Sequence, residues 1–210
     1  MIPLRSQKDL TMLARSGAIL AGVMQKLQAN LRPGMTTLDI DFLSEELIHK
    51  EKALPAFKGY KGFPGTACVS VNEEIVHGIP GSRIILDGDI VSIDLGVNYE
   101  GFFSDMAVTL PVGKVQTDRL KLMAVAKQSL DIGIKQAQVG NYLTDISHSI
   151  QSFVEAQGFS VVLQFVGHGI GMALHEEPEI PNFGRTGLGP LLKSGMVLAI
   201  EPMINLGSWE

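Results

Sequence analysis

Apolar side chains recur at helical spacing through residues 6–29 (Leu10, Leu13, Ala14, Ala18, Ala21), which predicts an amphipathic helix with Ser6 as its N-cap and the Arg-Pro-Gly at 32–34 as its stop. A second helix is predicted over 37–52. The glycine-rich "FKGYKGFPG" then interrupts the periodicity, and "ACVSV" (67–71) reads as a strand, followed by a loop that holds His77. Two further strands are predicted within "SIDLGVNYEGFFSDMAVTL" (92–110). Helices are predicted again over 118–138 and 144–157, closed by Gly140 and Gly158. Strands return with "FSVVLQFV" and "MVLAIEPMI". The order helix, helix, strands therefore occurs twice, which predicts an α+β fold.

A short internal repeat supports a duplication. "GDIVSID" (88–94) and "GMVLAIE" (195–201) share a glycine, a run of apolar residues and a terminal acid at one spacing. "HGIP" (77–80) and "HGIG" (168–171) are a weaker echo, because their distances to those acids differ. We expect a single catalytic domain over 1–210 with approximate halves 1–113 and 114–210.

Asp94 and Asp105 stand in runs that otherwise read as buried strand. With "NYEG" (98–101) as the loop, a hairpin centred between Tyr99 and Glu100 places the two aspartates directly opposite each other. Directly opposed Cβ atoms lie about 4.5–5.5 Å apart, where two carboxylates repel and desolvation adds to the cost. A different register with one solvated aspartate would relieve this, as would a shared proton, a basic partner or a divalent cation. The paired Asp-Thr/Ser-Gly turns of an aspartic protease dyad are absent. Glu201 ends the second copy of the repeat within the apolar run "VLAIEPMI", and His168 sits between glycines in "VGHGIG". Alone, His168 reads as a loop or core histidine; beside three strand carboxylates it reads as a ligand. Two Asp, one Glu and one His suit Mn, Fe, Co or Zn, and so much negative charge suits two bridged ions better than one.

His77 and His175 lie in loops punctuated by glycine and proline, where functional groups are presented. His49 and His148 fall in predicted helices and read as surface residues. There is no His-Glu-x-x-His, no Gly-x-Ser-x-Gly and no P-loop. Cys68, the only cysteine, reads as a small buried hydrophobe and points to a reducing compartment, taken here as the cytoplasm. At 45% hydrophobic and 19% charged residues the chain can bury a core, and its net charge of −5 offers no footprint for nucleic acid. No run approaches the length of a membrane span, and the start carries no leader pattern.

"HGIP", "DIVSIDLG", "GFFSDMAVT", "VGHGIGMALHEEPEIPN" and "GMVLAIEPM", taken in order, resemble the methionine aminopeptidases of type I, the bacterial type. The resemblance implies the pita-bread fold with pseudo-twofold halves. It implies two divalent metal ions (Co, Mn, Fe or Zn) held by Asp94, Asp105, His168 and Glu201. Water activated by the metals would attack the carbonyl that follows an N-terminal methionine, with Glu201 handling the proton. His175 would hold the carbonyl oxygen, His77 would face the scissile nitrogen, and Tyr60, Phe63 and Cys68 would line the methionine pocket. Nascent polypeptide N-termini are the implied partners, with the ribosome a further one, and the chain is expected to be a monomer. The family has a fifth ligand, a bridging glutamate on a later strand; it falls beyond residue 210, and Glu210 does not match its motif, so the C-terminal strands are expected to be missing. Two other readings stand beside this one. The chain could be a pseudoenzyme that binds peptides or ribosomes, or a pita-bread hydrolase of different specificity.

Overall fold

The hydrophobic alternation of residues 92–110 builds the centre of a four-stranded antiparallel sheet. The computed structural model describes residues 1–208 and divides into two compact units. One runs from Lys8 to Gln116 with Gly171–Leu174 added; the other holds Met1–Gln7, Thr117–Ile170 and the chain from His175 onward.

The Lys8–Gln116 unit contains nearly all of helix α1 (Gln7–Asn30), helix α2 (Thr37–Lys50) and strands β1 (Leu54–Pro55), β2 (Ala67–Val71), β3 (Ile90–Tyr99) and β4 (Phe102–Pro111). α2 starts on a capping box in which Asp39 Oδ2 accepts from the Thr36 N–H at 2.7 Å while Thr36 Oγ1 accepts from the Asp39 N–H at 3.1 Å. β3 is the hub: it pairs with β1 and β2 along one edge and with β4 along the other. Its residues Val91, Ile93, Leu95 and Val97 are fully buried against Leu20, Val23 and Met24 of α1 and Ile40 and Ile48 of α2. Each such side chain contributes about 1.5–3 kcal/mol by leaving water, so this face fixes which way β3 presents its other residues.

The second unit contains helices α3 (Thr117–Gln136) and α4 (Leu143–Ala156), whose apolar face of Leu143, Ile146, Ile150 and Val154 packs with Val125, Val161, Ile180 and Leu192. Its strands are short: β5 (Ser160–Val161), β6 (Gly167–Gly169), β7 (Glu176–Ile180), β8 (Leu198–Ala199) and β9 (Ile204–Asn205). β6 lies between β7 and β8, and β5 pairs with β9. The loop after β7 is tied to α4 through Asp145, which accepts from the Thr186 hydroxyl and from the backbone N–H of Gly187 and Tyr142; these bonds hold its carboxyl below the usual range.

Two expectations are corrected here. "FSVVLQFV" contributes only the pair Ser160–Val161 to a strand, and "MVLAIEPMI" splits into β8 and β9 with Glu201 between them. Pro202 explains the break, since it has no N–H to continue a ladder and restricts the residue before it. Glu201 therefore does not belong to a strand.

The second correction concerns the hairpin, which turns one residue later than expected. Tyr99 faces Phe102, and the two-residue turn is Glu100–Gly101, with φ of 53° and 85°. Both positive values are those of the primed turns that match strand twist, with Glu at a position usually given to Asn or Asp. Asn98 stays in the strand and accepts from the Gly101 N–H at 2.9 Å. Asp94 consequently faces Ala107 and Asp105 faces Gly96, so the aspartates are diagonal neighbours rather than directly opposed. They still share one face, with Cα atoms about 7–8 Å apart as is general for such diagonals, and carboxylates at that spacing repel less.

Gly96 has no room for a side chain: a Cβ there would lie 2.6 Å from Phe57 Cε1 and 2.8 Å from Ala56 Cβ. Gly96→Ala is expected to destabilise the chain by about 1–3 kcal/mol through overpacking, read as a lower urea midpoint at unchanged slope. An unaltered midpoint would show that Phe57 moves aside freely.

Candidate functional site

The Lys8–Gln116 unit supplies the two aspartates. Because β3 buries its odd-numbered residues, the even-numbered Ser92, Asp94 and Asn98 stand on the opposite, half-buried face together with Asp105 and Thr109 of β4. On the same face the Ser92 and Thr109 hydroxyls bond each other at 2.8 Å. Cys68 of β2 is the strand partner of Asp94 and is buried. Burial, then the charges of Asp94, Asp105 and Asp41, push its thiol far above its ordinary value. It is thus a neutral, weakly polar wall beside the carboxylates, and the same causes disfavour the thiolate that a nucleophile needs. Asp41 was not singled out in the sequence. It is buried in α2 and accepts from the N–H groups of Thr66 at 2.6 Å and Ala67 at 2.8 Å, anchoring the start of β2.

Tyr60 begins a single 3-10 turn (Tyr60–Gly62), and the Phe63 N–H donates to the Tyr60 carbonyl at 2.9 Å, so the two rings are carried by one tight loop. His77 is exposed and holds a left-handed backbone at φ 60°, a conformation most residues avoid. The loop is pinned just beyond it, where the Val69 N–H donates to the Gly78 carbonyl at 2.9 Å and the Gly78 N–H to Ser70 Oγ at 3.1 Å. Imposed backbone strain at an exposed histidine fits a residue held in place for contact with a ligand.

The second unit supplies His168, His175 and Glu201. His168, in β6, is 6% exposed, and its Nδ1 lies 2.8 Å from the Gly169 carbonyl. A carbonyl only accepts, so Nδ1 carries a hydrogen, and Nε2 is the ring nitrogen turned away from that carbonyl. Nε2 lies 3.2 Å from Glu201 Oε1. A lone pair and a carboxylate oxygen repel at that distance unless a cation or a proton sits with them. Two donors 3.2 Å apart can both reach one divalent ion at about 2.0–2.2 Å, so this pair fits a metal. The His175 ring centroid lies 4.1 Å from that of His168. Beside His175, Glu176 is ion-paired with Arg5, both side chains being nearly buried. This pair spans 171 positions and carried no signal in the sequence.

The chain is similar to known proteins along its whole length. The profile of metallopeptidase family M24 matches residues 11–210. The methionine aminopeptidase of Clostridium perfringens is 51% identical over 210 residues, covering 100% of this chain and 84% of that protein. Methionine aminopeptidase 1 of Bacillus subtilis is 49% identical, covering 99% and 84%. The crystal structure of the methionine aminopeptidase from Rickettsia prowazekii superposes with a TM-score of 0.99 at 36% identity, over 100% of this chain and 85% of that one. A prolidase from Pyrococcus horikoshii, at 22% identity and a TM-score of 0.82 over 95% and 55% of the two chains, shares the fold. The chain has the pita-bread fold and belongs to metallopeptidase family M24, among its bacterial-type methionine aminopeptidases.

Proposed function

We propose that Asp94, Asp105, His168 and Glu201 hold the two divalent ions with which this metallo-exopeptidase removes the N-terminal methionine of nascent proteins. The observation that carries the assignment is the His168 ring, whose Nδ1 bond to the Gly169 carbonyl turns Nε2 toward Glu201 Oε1. In support, His168 and Glu201 face each other within one unit, and Asp94 and Asp105 share a strand face within the other. An oxygen-rich set with one imidazole suits Co, Mn, Fe or Zn. When bound, such ions supply Lewis acidity that makes water a nucleophile at neutral pH and draws charge from a carbonyl oxygen.

The remaining work falls to the protein. Glu201 carries a proton on its carboxylate between the attacking water and the leaving amine. His175 donates to the substrate carbonyl oxygen as charge develops there, and His77 faces the scissile nitrogen. The methionine side chain packs against Tyr60, Phe63 and the neutral Cys68 thiol, where shape and burial give selectivity.

We place the enzyme in the cytoplasm as a monomer that meets its substrates at the ribosome. The reading is supported by its nascent-chain substrates and by the lone buried cysteine; among the described residues no helix is long and apolar enough to cross a membrane. We further propose that the domain consists of duplicated halves, 1–113 and 114–210. In support, the repeat's glycines, Gly88 and Gly195, share a left-handed backbone at φ 94° and 92°.

Methionine release from a Met-Ala-Ser peptide is expected to require added Mn or Co and to fall by more than about 100-fold in Asp105→Ala. Release that persists in the variant would remove Asp105 from the ligand set. His175→Ala is expected to lower kcat by about 10²–10³-fold, the usual cost of losing one oxyanion donor, while metal uptake measured by calorimetry stays unchanged.

A further inference from the structure

We infer that Asn182 is a positioning residue for Glu201, which rests on the reading of Glu201 as a metal ligand. The ladder between β6 and β8 ends at His168 and Ala199, and Pro202 follows Glu201, so strand pairing does not hold the Glu201 peptide. Something else must, because a ligating carboxylate is useful only if its backbone is fixed. Asn182 is 1% exposed, and its Nδ2 donates to the Glu201 carbonyl at 2.8 Å. On β6, a Cβ at Gly167 would lie 2.3 Å from the Ala199 carbonyl oxygen and 3.3 Å from the Glu201 nitrogen. The stretch is therefore gripped by a bare backbone at Gly167 and by a buried amide donor at Asn182.

Asn182 follows closely on a paired strand. It stands two residues past Ile180, which is the register partner of Gly167 at the end of β7, and His175 directly precedes the start of β7. One strand thus leads from His175 to the residue that fixes Glu201. Removing the donor leaves the Glu201 carbonyl without this bond and lets the peptide rotate, which disorients the carboxylate without deleting it.

The test is calorimetric titration of Mn²⁺ into the parent chain and into Asn182→Ala, Asn182→His and Glu201→Gln, alongside urea unfolding and peptide kinetics. Asn182→Ala is expected to bind Mn²⁺ about 10–100-fold more weakly and to lower kcat with little change in KM. Asn182→His, whose ring N–H can donate at the same reach, is expected to recover most of the affinity. A merely structural role would move only the urea midpoint, so Asn182→Ala with parental Mn²⁺ affinity overturns the inference. Should Asn182→Ala fail to fold, Asn182→Asp keeps the volume, removes the donor and is held to the same criterion. Parental affinity in Glu201→Gln would instead remove the ligand assignment itself, and the inference with it.

Discussion

The hydrogen bond from His168 Nδ1 to the Gly169 carbonyl decides what the surrounding residues can do. It assigns a hydrogen to one ring nitrogen and leaves the other, on a buried ring, facing the half-buried carboxylate of Glu201. Two electron-rich atoms held 3.2 Å apart are unfavourable unless a cation or proton joins them, and the metal proposed for this pair would be such a cation. Several neighbouring residues hold this region in shape. The glycines on both sides of His168 admit backbone where a side chain would collide, Asn182 grips the Glu201 peptide, and Arg5 fixes Glu176 beside His175.

The other unit solves a related problem with a sheet. β3 buries one face so thoroughly that its opposite face is fixed, and that face carries Asp94 and, through β4, Asp105. Side chains alternate with a period of two, so a shift of the whole hairpin turn by one residue changes which residues face each other without changing which face they occupy. The placement of the carboxylates thus tolerates the unusual Glu100–Gly101 turn, and a diagonal pair is easier to charge than an opposed one.

The sequence made legible what depends on pattern and on residue chemistry. The helices follow their apolar periodicity and "ACVSV" is a strand as expected, while the proposed donor set of two Asp, one Glu and one His was read from carboxylates in apolar runs, which demand a partner. The hairpin register was not legible. Asn98 looked like a turn residue, and nothing local announces that Glu100 takes a positive φ. The strand expected around Glu201 failed because the effect of Pro202 on the ladder outweighed an apolar run. Arg5, Asp41 and Asn182 were invisible for a different reason. Each acts through polar contacts to residues farther along the chain, and such contacts leave no periodicity.

The measurement that tests the central claim most directly is nitrogen NMR of the His168 ring, assigned with a His168→Gln variant, before and after addition of Zn²⁺. The account predicts that Nδ1 keeps its hydrogen throughout and that the Nε2 resonance shifts on metal addition. A hydrogen carried by Nε2 alone in the metal-free chain, or a ring whose resonances ignore Zn²⁺, would contradict it.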